Sequence, residues 1–178
     1  MKEFPTLETE RLHLVRIGED RLADLFEIYA DPRIVRFYGI EPHRVPAETL
    51  AVIEALDRKF RDRLSIEWGI VLKATGKLIG TMGFNTYKVG FKGVLGFGLN
   101  SAFWRRGIAS DALKVAVRYG FDDLKLHRIE AEVDPRNQPA QRLLLSNGFS
   151  REGLLRENEF FLNEFCSTVV FGRLVTDV

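Results

Sequence analysis

The residues best suited to chemistry lie in Val94 to Ser110 of the 178-residue chain, Val-Leu-Gly-Phe-Gly-Leu-Asn-Ser-Ala-Phe-Trp-Arg-Arg-Gly-Ile-Ala-Ser. This stretch passes from a strand-like run into a helix. Asp111, Lys114, Arg118, Asp122 and Lys125 recur at spacings of three and four, with Ala112, Leu113, Ala116 and Tyr119 on the other faces. The first amides of a helix lack intrahelical partners, and the peptide dipoles leave them partly positive. Arg105 and Arg106 add charge at that mouth, and Gly107 and Ala109 let backbone come close, so the helix start suits a phosphate group. Two better-known phosphate loops are excluded. Gly93-Val94-Leu95-Gly96-Phe97-Gly98 has the wrong glycine spacing for a dinucleotide fingerprint, and no Gly-Lys-Ser/Thr exists.

At these residues the sequence resembles the GCN5-related N-acetyltransferases (GNAT), and within them the branch of ribosomal-protein N-terminal acetyltransferases (RimJ/RimL-like). The pyrophosphate loop of that family has Gln or Arg, two variable residues, Gly, a variable residue, then Gly or Ala. Here those positions are Trp104, Arg105, Arg106, Gly107, Ile108 and Ala109, with Trp first as this branch commonly has. The similarity runs from Thr9-Glu10-Arg11-Leu12 to the stretch Asn137 through Phe149.

The resemblance implies acetyl-CoA as co-substrate, no metal, and an amine acceptor, which includes the N-terminus of a ribosomal or other protein. It also implies an α/β (α+β) fold: a mixed, mostly antiparallel sheet of about six or seven strands flanked by about four helices, splayed between two central parallel strands. Phe97, Gly98 and Leu99 would then line the pantetheine arm, and Trp104 through Ser110 would surround the pyrophosphate. Asn137 has two readings, a helix cap or a contact to the pantetheine arm, and one side chain can do both.

Acetyl transfer to an amine needs a neutral nucleophile, donors for the oxygen of the tetrahedral intermediate, and an exit for the thiolate. By the resemblance, the Phe97 amide serves the oxygen, with Gly96 and Gly98 allowing close approach. A glutamate often stands two residues before the strand glycine in this branch, but here that position is Val94. In some N-terminal acetyltransferases a glutamate on the later strand acts as base, and that resemblance, counted back from Asn137, implies Glu132; it shares a strand face with Glu130, so a solvated residue is the other reading. Relatives place the acid at positions that are Ala140 and Leu144 here. Tyr38, Tyr87 and Tyr119 remain as candidate acids, with amphipathic packing the other reading of each, and the lone Cys166, amid strand phenylalanines, reads as an inert core residue.

The weakness of the base set bears on the acceptor. An α-amine with pKa ~7.8 is about one third neutral at pH ~7.5, whereas a lysine or polyamine amine near ~10.4 is neutral about one part in a thousand. That difference, roughly 300-fold, is about 3 kcal/mol, and it favours a protein or peptide N-terminus. A small-molecule acetyltransferase acting on a polyamine, amino sugar or antibiotic amine is the second reading. A non-catalytic acyl-CoA-binding module is the third, kept open by Val94, Ala140 and Leu144.

The length suits one domain spanning residues 1–178, and 46% hydrophobic with 11% aromatic content supports a globular chain. Lys plus Arg total 26 against 25 for Asp plus Glu, so the charge points to neither a nucleic-acid nor a membrane partner. One cysteine, no signal-like N-terminus and no long apolar run suggest a cytoplasmic protein, and relatives often form homodimers.

Periodicity predicts a strand over Leu12 to Ile17, a helix from Asp20 stopping at Pro32, and irregular chain over Asp31 to Pro46. Next come a helix from Pro46 with Ile53, Leu56, Phe60 and Leu64 on its apolar face, and a hairpin of Ile66 to Leu72 and Leu78 to Phe84. Val94 to Leu99 and Ile129 to Val133 read as parallel strands joined by a helix ending near Leu124. A helix with Ala140, Leu143 and Leu144 on one face is then capped by Gly148, and a hairpin of Arg151 to Leu155 and Phe160 to Leu174 closes the chain.

Overall fold

The computed structural model describes residues 3–177. Strand β1 (Leu7–Glu8) is too short to leave a pattern in the sequence, and it edges β2 (Leu12–Arg16), whose Leu12 and Leu14 are fully buried. Helix α1 (Leu22–Tyr29) buries Leu25 and Ile28. Pro32 does not end the chain's helical path but opens a second short helix, α2 (Pro32–Val35), because the Asp31 carboxylate caps the Arg33 amide and proline needs no amide partner in a first turn. Helix α3 (Pro46–Arg61) begins at Pro46, with Glu48 reaching back to the Val45 amide. It ends before Leu64, which is 58% exposed after a left-handed Arg63, so Leu64 is not on the apolar face.

Strands β3 (Ile66–Leu72), β4 (Leu78–Lys88) and β5 (Lys92–Leu99) form an antiparallel meander, with β4 and β5 longer than the alternation indicated. Helix α4 (Ile108–Asp122) crosses over to β6 (Arg128–Val133), which lies parallel to β5. Helix α5 (Gln138–Ser146) leads into β7 (Ser150–Phe161) and β8 (Glu164–Leu174). Phe160 and Phe161 belong to the first arm of that hairpin. The turn is Leu162-Asn163, both left-handed at φ 50° and 60°, as a two-residue hairpin turn requires.

The eight strands run in the order β1-β2-β3-β4-β5-β6-β8-β7, more than the resemblance implied through the addition of β1. Helices cover both faces. Ile108, Ala112, Leu113, Ala116 and Val117 of α4 join Trp68, Met82, Phe84, Leu95 and Ile129 in the main core, while α1, α2 and α3 pack a second cluster around Leu25, Ile28, Ile34, Ile53 and Val71. On β3, Ile66, Trp68 and Ile70 thus face α4, and Glu67, Gly69 and Val71 face α1 to α3.

One break in this sheet matters most. β5 and β6 pair from Lys92↔Arg128 to Leu95↔Ala131 and then part. Beyond that point β5 keeps β4 as far as Leu99, and β6 keeps β8 as far as Val133.

Candidate active site

The parting leaves Gly96 to Leu99 with a neighbour on one side only. Which amides face the gap follows from the alternation of strand hydrogen bonds. Asn100 donates its amide to the Ile79 carbonyl of β4 at 2.8 Å, and Leu99 turns its carbonyl the other way, where the Trp104 indole donates to it at 2.7 Å. Gly96 and Gly98 therefore bond toward β4, and the N–H and C=O of Phe97 and the N–H of Leu99 point into the gap. The Phe97 amide is a free donor on an open strand edge, the type of group that can hold a carbonyl oxygen as it gains charge.

The mouth of α4 lies just beyond. Asn100 caps a short turn at Ser101–Phe103, Arg105 and Gly107 are left-handed at φ 62° and 75°, and the helix then starts at Ile108. No side chain caps it, so the first amides, those of Ile108, Ala109 and Ser110, are open. Arg11 braces the loop from β2's leading edge: its Nη1 donates to the Arg106 carbonyl at 3.1 Å, while Nε and Nη2 hold Asp111 at 3.0 and 2.6 Å. Arg105 and Arg106 are exposed, and Arg106 lies over the Phe103 ring at 5.5 Å. The Ser110 hydroxyl donates to Asn147 Oδ1 at 2.8 Å, tying α4 to the end of α5 and leaving its amide as the group open to a ligand. Open amides, a glycine without Cβ and two exposed guanidinium groups fit a pyrophosphate.

On the opposite face of the sheet is a glycine-rich patch that the sequence pattern does not reveal, with the Asn85 side chain lying over Gly96. Glu67, Gly83 and Gly96 stand in one row across β3, β4 and β5, and Gly69, Thr81 and Gly98 stand in the next. Tyr38 roofs it, its hydroxyl so close to Gly98 that an added Cβ would lie 1.4 Å from it. That hydroxyl is buried and makes no hydrogen bond. Tyr29 lies beside Tyr38 at 5.9 Å and stacks on His43 at 4.8 Å, and His43 Nδ1 is fixed by Thr49 Oγ1 at 2.8 Å. Burial pushes the Glu67 carboxyl up to about 7; the Thr81 hydroxyl and the more distant Lys59 pull weakly the other way. Burial also pushes both phenols up, so Tyr29 and Tyr38 keep their protons. The only legible signal for Glu67 was a carboxylate between Ile66 and Trp68 in an otherwise apolar strand.

The remaining sequence-derived candidates fall as follows. Glu132 is exposed, on the first rung of β6 beyond the parting. Glu130 is a structural ion pair: against the burial that raises it, Lys92 and Arg128, each at 2.7 Å, hold its carboxyl below the usual range. Asn137 caps α5, accepting the Ala140 amide at 3.2 Å, at the far lip of the gap. Tyr119 packs edge-on against Trp68 at 5.2 Å. Cys166 is buried, and burial together with Glu164 pushes its thiol up, which leaves it protonated and unreactive. Two surface hollows, of about 520 and 310 Å³, lie away from the parting, one beside Arg16 and Asp57 and the other beside Thr6 and Asp122. No helix among the described residues is long and apolar enough to cross a membrane.

Comparison with known proteins agrees with this geometry. Residues 11–150 match the Acetyltransferase (GNAT) domain. The chain is 34% identical over 155 residues to the uncharacterized N-acetyltransferase YoaA of Bacillus subtilis, covering 86% of this chain and 88% of that one. It is 34% identical over 170 residues to the uncharacterized N-acetyltransferase p20 of Bacillus licheniformis, covering 95% and 96%. Among solved structures, the ribosomal-protein-S5-alanine acetyltransferase of Vibrio fischeri superposes with a TM-score of 0.78 at 21% identity, covering 97% and 98%. The microcin C7 self-immunity acetyltransferase MccE, solved with acetyl-CoA and AMP, superposes with a TM-score of 0.84 at 16% identity, covering 94% of each chain. With its parted parallel strands, its open helix mouth and a family match over most of its length, the chain belongs to the GNAT family and is an N-acetyltransferase.

Proposed function

We propose that the chain moves an acetyl group from acetyl-CoA to a protein or peptide N-terminal α-amine, as the RimJ/RimL-like branch does, by direct attack in a ternary complex in the cytoplasm. The observation that carries this is the end of β5–β6 pairing at Leu95↔Ala131, which frees the Phe97 N–H beside an uncapped helix start. In this account the amides of Ile108, Ala109 and Ser110, with Arg105, Arg106 and Gly107, hold the pyrophosphate, and Trp104 fixes the loop through the Leu99 carbonyl. Phe97, Gly98 and Leu99 line the pantetheine arm, Asn137 contacts it from the opposite lip, and the Phe97 N–H holds the acetyl oxygen. Two carboxylates face the acceptor side, Glu132 on β6 and Glu67 on β3, and either can take the amine's proton.

Support for the α-amine comes from its roughly 300-fold greater neutral fraction over a lysine-like amine, and from the fold shared with an S5-alanine acetyltransferase. The test is competition in one vessel between an N-terminal peptide and spermidine at pH 7, with products weighed by mass spectrometry. A preference of about tenfold or more for the peptide is expected; equal rates would count against the α-amine.

A further inference from the structure

We infer that residues 31–39 form a strap that sets the width of the gap between β5 and β6, and that Ser101 at one end and Phe161 at the other are the residues that position it; this rests on the acetyltransferase reading just given. Past Leu95↔Ala131 the two strands are unpaired, so their separation is fixed by contacts outside the ladder. On the α4 face the hydrogen bond from Ser110 to Asn147, at 2.8 Å, ties α4 to the end of α5. On the opposite face residues 31–39 touch both banks of the gap.

The β5 bank is held twice. The Ser101 hydroxyl, just past the end of β5, donates to Asp31 Oδ2 at 2.8 Å and accepts from Arg33 Nη2 at 2.6 Å. Asp31 grips Arg33 in turn, through Nε at 2.9 Å and Nη2 at 2.7 Å, and its carboxylate also caps α2, so this latch fastens the first turn of the strap. Further along, the Tyr38 hydroxyl covers Gly98. On the far bank Phe161, the last residue of β7, lies on Gly39, where an added Cβ would come within 2.7 Å of its ring. Phe161 is half-buried as a result, while Phe160, Leu162 and Phe165 around it are 61%, 46% and 67% exposed. Asp134, just after β6, also feels the strap: against the burial that raises it, Arg136 and the strap's Arg36 hold its carboxyl below the usual range. Between these anchors the strap is one piece, with amide bonds from Ile34 to Asp31 at 3.0 Å, Phe37 to Ile34 at 3.2 Å and Tyr38 to Val35 at 2.8 Å.

The two lips carry different parts of the chemistry in the reading above, the Phe97 N–H on β5 and Asn137 beyond β6. A thioester held from both lips stays aligned only while their separation is kept, and a misplacement of about 1 Å can cost about 100-fold in rate. A strap fastened at two ends fails when either fastening is cut. Independent sites on opposite banks contribute additively, whereas the two ends of one strap do not.

The test is a double-mutant cycle on Ser101→Ala and Phe161→Ala, read by kcat with an N-terminal peptide and by amide hydrogen exchange over residues 33–39. Each single substitution should lower kcat about fivefold, and the double variant should also lie about fivefold below wild type rather than about 25-fold. Each should speed exchange about tenfold through the whole strap, Ser101→Ala as far as Gly39 and Phe161→Ala as far as Arg33. Ser101→Thr, which keeps the hydroxyl, should return both readouts to within about twofold of wild type. Losses that multiply to about 25-fold, exchange that changes only at the substituted end, or a loosened strap with kcat still at the wild-type value each overturn the inference. A wild-type enzyme that binds CoA yet acetylates no amine overturns the α-amine reading, and the exchange measurement then still decides whether residues 31–39 act as one strap.

Discussion

Glu67 carries a consequence for stability that is independent of catalysis. Its carboxyl titrates near 4.5 in a solvated chain and near 7 in the folded one, because burial penalises the charge. Between those values the folded state holds the extra proton, so stability falls as pH rises, by about 3 kcal/mol once pH exceeds 7. Glutamine cannot ionise and escapes this loss. Urea unfolding should find Glu67→Gln within about 0.5 kcal/mol of wild type at pH 4.5 and about 3 kcal/mol more stable at pH 8. An equal difference at both pH values would mean that Glu67 is solvated like any surface glutamate. The burial of Glu67 was not legible in the sequence, and Tyr38 was legible only as a candidate acid or a packing residue, for a physical reason. Alternation assigns a strand residue to a face, whereas only strand register shows that Glu67 shares a row with Gly96 and that Tyr38 descends on Gly98. Cys166, by contrast, was read correctly as a buried core residue, since its environment follows from the alternation of its own strand.

Among the elements, α4 and its loop were the most legible, because an amphipathic repeat and a glycine at the helix start carry local information. Gly107 is left-handed at φ 75°, and a Cβ there would have only Arg11 Nη2 near it, at 3.4 Å. Gly107→Ala should therefore cost about 1 kcal/mol through backbone strain, and Gly107→Val should in addition block close approach of the pyrophosphate. Calorimetric titration of CoA against Gly107→Val tests the placement of the loop, and unchanged affinity would refute it. Arg11 has a supporting role at the same element. Removing it in Arg11→Ala frees the Arg106 carbonyl and Asp111 together, and CoA binding should weaken about fivefold, or about 1 kcal/mol. Arg106→Ala should weaken it in a salt-dependent way, read as a shallower decline of affinity with ionic strength than wild type shows. Elements without a local signature were missed. β1 is two residues long, Pro32 served as a start where proline equally marks a stop, and a left-handed Leu162 gave no glycine to mark the hairpin turn.

Across the whole molecule, the sheet separates two approaches to one point. α4 and its mouth belong to one face, and the glycine patch covered by Tyr38 belongs to the other. The parting after Leu95 is where the two faces meet, and on the second face the Tyr38 hydroxyl covers Gly98. That arrangement suits direct attack and makes no demand on a covalent enzyme intermediate. It also predicts a separable defect: Gly98→Ala places a methyl where the Tyr38 hydroxyl now lies, so the peptide KM should rise more than CoA affinity falls. Equal losses of both in paired kinetic and calorimetric assays would argue against two approaches. The sequence suggested the parallel strands and the crossover, but not the rung where they part, because a hydrophobic pattern tells a strand its face and not how far its partner follows.

The central claim, that this parting and helix mouth form an acetyl-transfer site for an α-amine, is tested most directly by thiol release from acetyl-CoA with N-terminal peptides, polyamines and aminoglycosides side by side at pH 7 and 9. The account predicts release with the peptides at pH 7, at least tenfold above the other amines, with the margin narrowing at pH 9 as those amines lose their protons. Equal release across the panel at pH 7, or silence with peptides while CoA binds by calorimetry, would contradict it.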